Sequence, residues 1–446
     1  MASDRFGYPL TTASEEAAKH YVRAVDCMLS ANFGAADALD AALRADPDFA
    51  LARAAKARWL QLYMRISEAQ AEAAAARALR DRLTPREARH VEIIALAVDG
   101  AGPKALALLD QHLADYPRDA LPLSLALGVF GLLGFSGRRD HRDAELAMLK
   151  RIAPHWGEDW FFLTFHGWAR IESGDVAAGL AEVERSLSLN PRNAWGAHAL
   201  AHGYHEAGDA EAGATFVAGW LPTYDRRSQL HGHLSWHHAL FELERGNAAR
   251  AHEVYADAIR LAVVHAPPVI KLADPAAYLW RRQIYGDAAS ISEDRLGEDW
   301  PREDWPEVAE YARQTFPRAG MHFADLHAVL ADAAVGNMAA ARQRIAEARE
   351  RLSSGRLPQG EVVPVLGEGI VAFARGDYAA AADLIGPMLP EVVRVGGSHA
   401  QRELFEDTYI VACLRAGRDE AAREQLTERL ARRPSMRDRR WLASIE

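Results

Sequence analysis

Apolar residues along this chain recur every three to four positions, in segments filled by Ala, Leu, Arg and Glu and parted by short turns built on glycine or proline. That period puts one apolar stripe on an α-helix, and the residue types are strong helix formers. Alternation of β-branched residues between two-residue hairpin turns does not occur. The pattern predicts an all-α chain of helical hairpins. Helix limits are legible too: Thr84-Pro85-Arg86-Glu87 reads as a capping box with proline at the first helical position, and Asp274-Pro275 reads as another N-cap followed by proline. Pro47 in RADPDF and Pro191 in SLNPRN close helices.

The turn glycines give the organisation. ESGD ending at Asp175 recurs as EAGD ending at Asp209, which sets Gly174 and Gly208 34 residues apart, the period of tetratricopeptide repeats. The same turn returns as ERGN ending at Asn247, AVGN at Asn337, ARGD at Asp377 and RAGR at Arg418. The expected fold class is therefore all-α, a right-handed α-solenoid of tetratricopeptide-like helical hairpins with one long insertion. An N-terminal array over 1–262, an insertion over 263–325 covering the concave groove and a C-terminal array over 326–446 would form one continuous solenoid. The insertion is placed where the spacing stretches between Gly246 and Gly336, a span holding Trp280, Trp300, Trp305 and an acidic run from Glu293 to Glu307 that reads as a solvated face. Long insertions in compact arrays are more often lids or binding loops than plain connections.

Composition narrows the function classes. With 446 residues, 49% hydrophobic, the chain can bury a large core. A net charge of −10 and the lack of a basic stripe with interleaved aromatics argue against nucleic acid. No run of about 18 apolar residues predicts a membrane span, and the first ten residues do not read as a secretory signal, so a cytoplasmic location is expected. Cys27 and Cys413 lie far apart in sequence, which excludes a CxxC site.

Histidine is the chemistry the repeats do not require. Eight of the 18 fall between His166 and His238, and two H-x-x-x-H pairs, His198/His202 and His233/His237, lie one repeat apart. With each turn glycine set as position 15 of its unit, Ala201 and Ala239 take the small position. His198, His202 and His205 then share one face of a first helix, and His233 and His237 join the same groove face of the next. His166 and His238 fall on core positions, while Phe161 and Trp168 face the groove. Four imidazoles can converge on a zinc ion, but neither pair carries a carboxylate or thiolate, so no cofactor is expected and a metal at these four histidines is the less favoured option. Imidazoles that titrate near neutral pH can instead exchange protons with a small substrate held among Trp195, Trp168 and Trp236. For any single histidine, hydrogen bonding within a polar interior is the plainer account. Trp195, Trp236 and Trp280 could stack on a ligand or serve as core. Asp325 and His327, two apart on a helix, do not face each other and would serve separate partners.

Several segments together resemble the tetratricopeptide repeat protein 38 family in order and spacing, over almost the whole chain. They are the opening FGYPLTTASEEAAKHYVRAVDCMLSANFGAADALDAALRADPDFALARAAKAR, NAWGAHALAH, HLSWHHALFELERGN, DPAAYLWRRQIYGD and FADLHAVLADAAVGN. The more specific parts are Trp195-x-x-His198-x-x-x-His202, the segment Trp236 to Phe241, Leu279 to Arg281 and Asp325-x-His327, with Arg142-Asp143 less specific. The resemblance implies an α-solenoid with these polar groups on its inner surface and no established reaction. His238 and Ser235 depart from the family's usual aliphatic and aromatic residues, which implies a more polar groove.

Two functions follow. In the first, a His/Trp-rich concave pocket binds a small molecule and carries acid–base chemistry of a hydrolase or lyase. His202 or His237 is then the base, His198, His233, His327 and Asp325 complete the catalytic set, and Trp195, Trp168, Trp236, Trp280 and Arg281 bind ligand, Arg281 taking an anionic group. In the second, the array is a non-catalytic scaffold holding a peptide or helix in the groove. The scarcity of groove lysines favours the pocket. Neither nucleic acid nor membrane is an expected partner, and self-association is left open.

Overall fold

A computed structural model describes residues 2–288 and 304–445. The expected lid residues from Ala289 to Glu303, with Trp300 and most of the acidic run, lie outside the described residues. Among the described residues the chain is all α-helical hairpins, with one isolated bridge between Ser3 and Pro9 as the sole extended pairing. They divide into two compact units. One comprises Met1–Ser136, Asp140–Leu200 and Thr223–Leu230, the other Gly137–Arg139, Ala201–Pro222 and His231–Glu446, so the boundary falls inside the helix Ala194–Ala207. No helix of the described residues is long and apolar enough to cross a membrane.

In the first unit, helices pair in order as Glu15–Ser30 with Ala35–Ala45, Ala50–Leu62 with Ile66–Ala78, Pro85–Val98 with Gly102–Asp115, and Trp160–Glu172 with Val176–Leu189. The expected capping box is present: Thr84 accepts from the Glu87 N–H while Glu87 reaches back to the Thr84 N–H. In the second unit His231–Glu244, His322–Ala334, Val362–Ala374 and His399–Arg415 each lead a hairpin, and Met436–Ala443 ends the chain's helices.

The six recurrent turns share one device. Their glycines, Gly174, Gly208, Gly246, Gly336, Gly376 and Gly417, all have φ between 66° and 92°, where a Cβ is strained. The residue after each glycine sends its N–H back five positions, Asp175 to Arg170 O through Arg418 to Cys413 O, at 2.7–3.0 Å. These bonds satisfy the last carbonyls of the first helix. Asp209, Asn337 and Asp377 then cap the following helix by accepting an N–H three residues on. Small residues let the paired helices close. A Cβ on Gly167 would stand 2.8 Å from the Gly179 carbonyl oxygen, and one on Gly213 2.5 Å from the Phe241 ring.

One boundary is corrected. Asp274-Pro275 does not start a helix: the helix runs Pro268–Ala288 with Pro268 as its first residue, and Pro275 lies inside it. The ring deprives the Lys271 carbonyl of its helical donor, a cost ordinarily avoided. Burial explains the exception, because Leu272, Ala276, Tyr278, Leu279 and Trp280 are all buried in the second unit and Asp274 is spent on a tertiary partner. This helix pairs with Trp305–Thr315, so the described part of the stretched interval is itself a hairpin whose tryptophans, Trp280 and Trp305, are core. Asp304, within the expected solvated run, is buried and meets Arg260 at 2.8 Å.

Candidate functional site: a buried imidazole centre

The helices Ala194–Ala207 and His231–Glu244 bring three of the expected site residues together within the second unit. Ring nitrogens of His202, His233 and His237 lie within 4.8 Å of one another. The His237 ring meets His202 at 4.6 Å between centroids and His233 at 5.0 Å, both edge to face. A spacing of four puts His233 and His237 on one helix face, which is why the pair converges. All three are buried.

Asp274 organises the centre. Its carboxylate accepts from His233 Nδ1 at 2.8 and 3.0 Å, which orients that ring. Burial raises the Asp274 pKa above the ordinary value, an effect the His233 partner opposes. His202 moves the other way: burial first, then the charges of His237 and His233, push its pKa well below the ordinary imidazole value. It is a neutral ring at physiological pH. Trp236 walls the centre, stacked on His233 at 5.3 Å and edge-on to His237 at 5.1 Å. Its indole N–H is buried without an acceptor among the described residues.

Other expected site residues have further partners. His198, one turn before His202 on the same helix, belongs to the first unit, where it packs edge-on against Trp168 at 4.8 Å and Trp195 at 5.7 Å. Those two indoles stack at 6.2 Å and continue into Phe165 and Phe161, an aromatic core. His166 and His238, read as core residues, are buried beside Glu182 at 2.7 Å and Glu242 at 3.4 Å. Asp325 and His327 do take separate partners. Asp325 meets Arg344 at 2.9 Å, whereas His327 donates Nδ1–H to the Phe323 carbonyl at 2.8 Å and burial pushes its pKa down to about 4. Trp280 donates to Thr408 at 2.9 Å and packs on Phe373.

Arg281 leads to a feature the sequence did not disclose. It is buried, donates to the Ala400 carbonyl at 2.5 Å and lies 3.4 Å from Asp407. Asp407 also accepts from Tyr285 and Arg429, each at 2.7 Å, and Arg429 is shared with Asp438. Next to this ionic network is a small crevice, lined among others by Arg281, Tyr285, Arg433, Arg437, His205 and Glu403. Arg433 pairs with Glu403 at 2.6 Å, and Arg437 lies 3.4 Å from Glu244. Arg281 Nη1 and Arg437 Nε, both buried, find no acceptor among the described residues.

The first unit holds a second unanticipated centre. Asp119 accepts from His90 at 3.0 Å, His112 at 2.9 Å and Arg86 at 2.9 Å, all buried. Burial opposes its charge, but the two histidines and Arg86 outweigh that and hold the carboxyl well below its usual range. The signal in sequence was weak, since Arg86 and His90 share one helix but His112 and Asp119 come from other segments, yet a histidine on each of two paired helices was present to be noticed.

Repeated hairpins closed by left-handed glycines, with small residues where helices meet, define the chain as a tetratricopeptide-like helical-repeat protein. No family model matches it. Among solved structures, the P58(IPK) TPR domain is similar at 14% identity, covering 91% of this chain and 89% of that one with a TM-score of 0.23. The Naa15/Naa10 assembly bound to HypK-THB is similar at 12% identity, covering 93% of this chain and 63% of that one with a TM-score of 0.21.

Proposed function

We propose that this chain is a non-catalytic binding scaffold that takes a carboxylate-bearing peptide segment in the crevice of its second unit. The observation that carries this reading is the pair of buried guanidinium N–H donors, Arg281 Nη1 and Arg437 Nε, that line the crevice without acceptors among the described residues. A buried donor left unmatched costs about 1–3 kcal/mol, and a carboxylate supplies what it lacks. Helical-repeat arrays commonly bind extended or helical peptides. On the segments quoted above, we also assign the chain to the tetratricopeptide repeat protein 38 family.

The acid–base reading draws less support. His202 and His327 are buried and held neutral, so neither is poised to exchange protons near pH 7. The imidazole centre fits binding better than turnover.

Labelled peptides that differ only in a glutamate or glutamine test the scaffold reading by anisotropy. The carboxylate form should bind about ten- to a hundredfold tighter, the worth of one charge-assisted hydrogen bond. Arg437→Lys, which keeps the charge and removes Nε, should erase most of that preference. Equal binding of both peptides across a broad set would reject it.

A further inference from the structure

The imidazole centre goes unused by the scaffold reading and stands independently of it. We infer that His202, His233 and His237 together bind one divalent transition-metal ion of the zinc class, with Asp274 orienting His233 from behind.

Four observations carry this. The three donor nitrogens lie within 4.8 Å of one another. Imidazole nitrogens at about 2.05 Å from a tetrahedral ion stand about 3.3 Å apart, so side-chain rotation of roughly an ångström and a half closes the site. The donor type is right, because all three groups are buried imidazoles, whose ring nitrogens are ordinary zinc ligands. Asp274 holds His233 through Nδ1 at 2.8 Å, the outer-shell carboxylate that metal-bound histidines ordinarily have. Trp236 closes one side as a rigid apolar wall.

Charge is the objection, and Asp274 meets part of it. A divalent ion on three neutral ligands would sit near Arg281, whose guanidinium lies 5.6 Å from the Trp236 ring. That cation is already matched by Asp407, and the Asp274 carboxylate places one negative charge directly behind His233. With Arg281 matched, the Asp274 carboxylate is left to offset part of the ion's charge. An all-imidazole donor set favours ions such as zinc or cobalt over magnesium or calcium, which demand oxygen ligands. The ion would pin the helices Ala194–Ala207 and His231–Glu244, and through Asp274 the helix Pro268–Ala288, without breaking or forming any covalent bond.

The test uses the full chain stripped with a chelator and titrated with zinc, and separately with cobalt. One ion per chain is expected by elemental analysis, and cobalt should give the intense visible bands of a tetrahedral nitrogen-rich site. His237→Ala and His233→Ala should weaken binding at least a hundredfold, and Asp274→Asn about ten- to a hundredfold. His90→Ala, in the first unit, should leave the stoichiometry unchanged. Well under a tenth of an ion per chain in excess zinc, an octahedral cobalt spectrum, or full binding by a folded His233→Ala/His237→Ala double variant would overturn the assignment. The wild-type cobalt spectrum decides the matter even if a variant fails to fold.

Discussion

Each unit buries histidines around an aspartate, and the two centres differ in the ratio of imidazole to carboxylate. In the first, Asp119 gathers His90, His112 and Arg86. Every approach to the carboxylate is a donor, and the group is held anionic. In the second, Asp274 meets one of three histidines, and the rings pack against one another. A carboxylate surrounded by donors is a closed electrostatic knot with a structural use. Imidazoles in excess over carboxylates bring several ring nitrogens close together, the layout of a ligand set. The difference lies in stoichiometry rather than burial, since both centres are buried.

The largest separation should come from cutting the knot. Asp119→Ala leaves a buried guanidinium and two imidazoles without their shared acceptor, and removing one partner from a buried ion pair typically costs about 3–5 kcal/mol. Urea unfolding should show that loss in the first unit with no change in metal uptake by the second. A loss below about 1 kcal/mol would mean water or neighbouring groups replace the carboxylate, and the contrast would collapse.

Next in size is the response to acid. A histidine whose folded pKa is lowered contributes stability that is complete above its unfolded value near 6.5 and is lost as pH falls towards the folded value. His202 is lowered, and His322 and His327 are pushed down to about 4, all in the second unit. His112 is lowered in the first unit as well, but Asp119 opposes that shift. Asp119 itself, being lowered, gives stability that is present above the usual carboxylate value and disappears only below it. Between pH 7 and pH 5 the single ring of His327 should cost about 2 kcal/mol. His327→Leu should remove that slope from denaturant midpoints measured at the two pH values. Parallel pH profiles for wild type and variant would show that His327 stays neutral in both states or is rehydrated on protonation.

The repeat grid was legible because it is local. Six turns repeat a glycine followed by Asp, Asn or Arg, and the left-handed φ with its five-residue hydrogen bond follows from those few residues. The same grid separated His166 and His238 from His202, His233 and His237, since position on a helix fixes which side chains share a face. Asp274 was misread for the converse reason. Proline after an aspartate is a sound local sign of a helix start, and only tertiary burial with His233 overrides it. Asp119 and the network of Asp407, Arg429 and Asp438 escaped notice because their partners lie on other helices, where no local pattern marks them.

The finest discrimination comes from making one substitution in both centres. Asp→Asn keeps the shape and one carbonyl acceptor while removing the charge. At Asp119 that acceptor must serve three donors, so Asn should still cost at least about 2 kcal/mol, because hydrogen bonds to charged groups are worth about 1.5–3 kcal/mol each. At Asp274 the balance is different. Burial raises its pKa, so the ionised carboxylate is a group whose folded-state stability is complete below the unfolded value and lost as pH rises through the folded one. At pH 7 the charge is thus a liability of the metal-free protein, offset by the His233 hydrogen bond. Asp274→Asn should change metal-free stability by no more than about 1 kcal/mol while weakening zinc binding, because Asn no longer returns negative charge to the ligand it orients. A large loss in the metal-free state would make Asp274 a second Asp119, and the distinction between a knot and a ligand set would fail at the residue on which it rests.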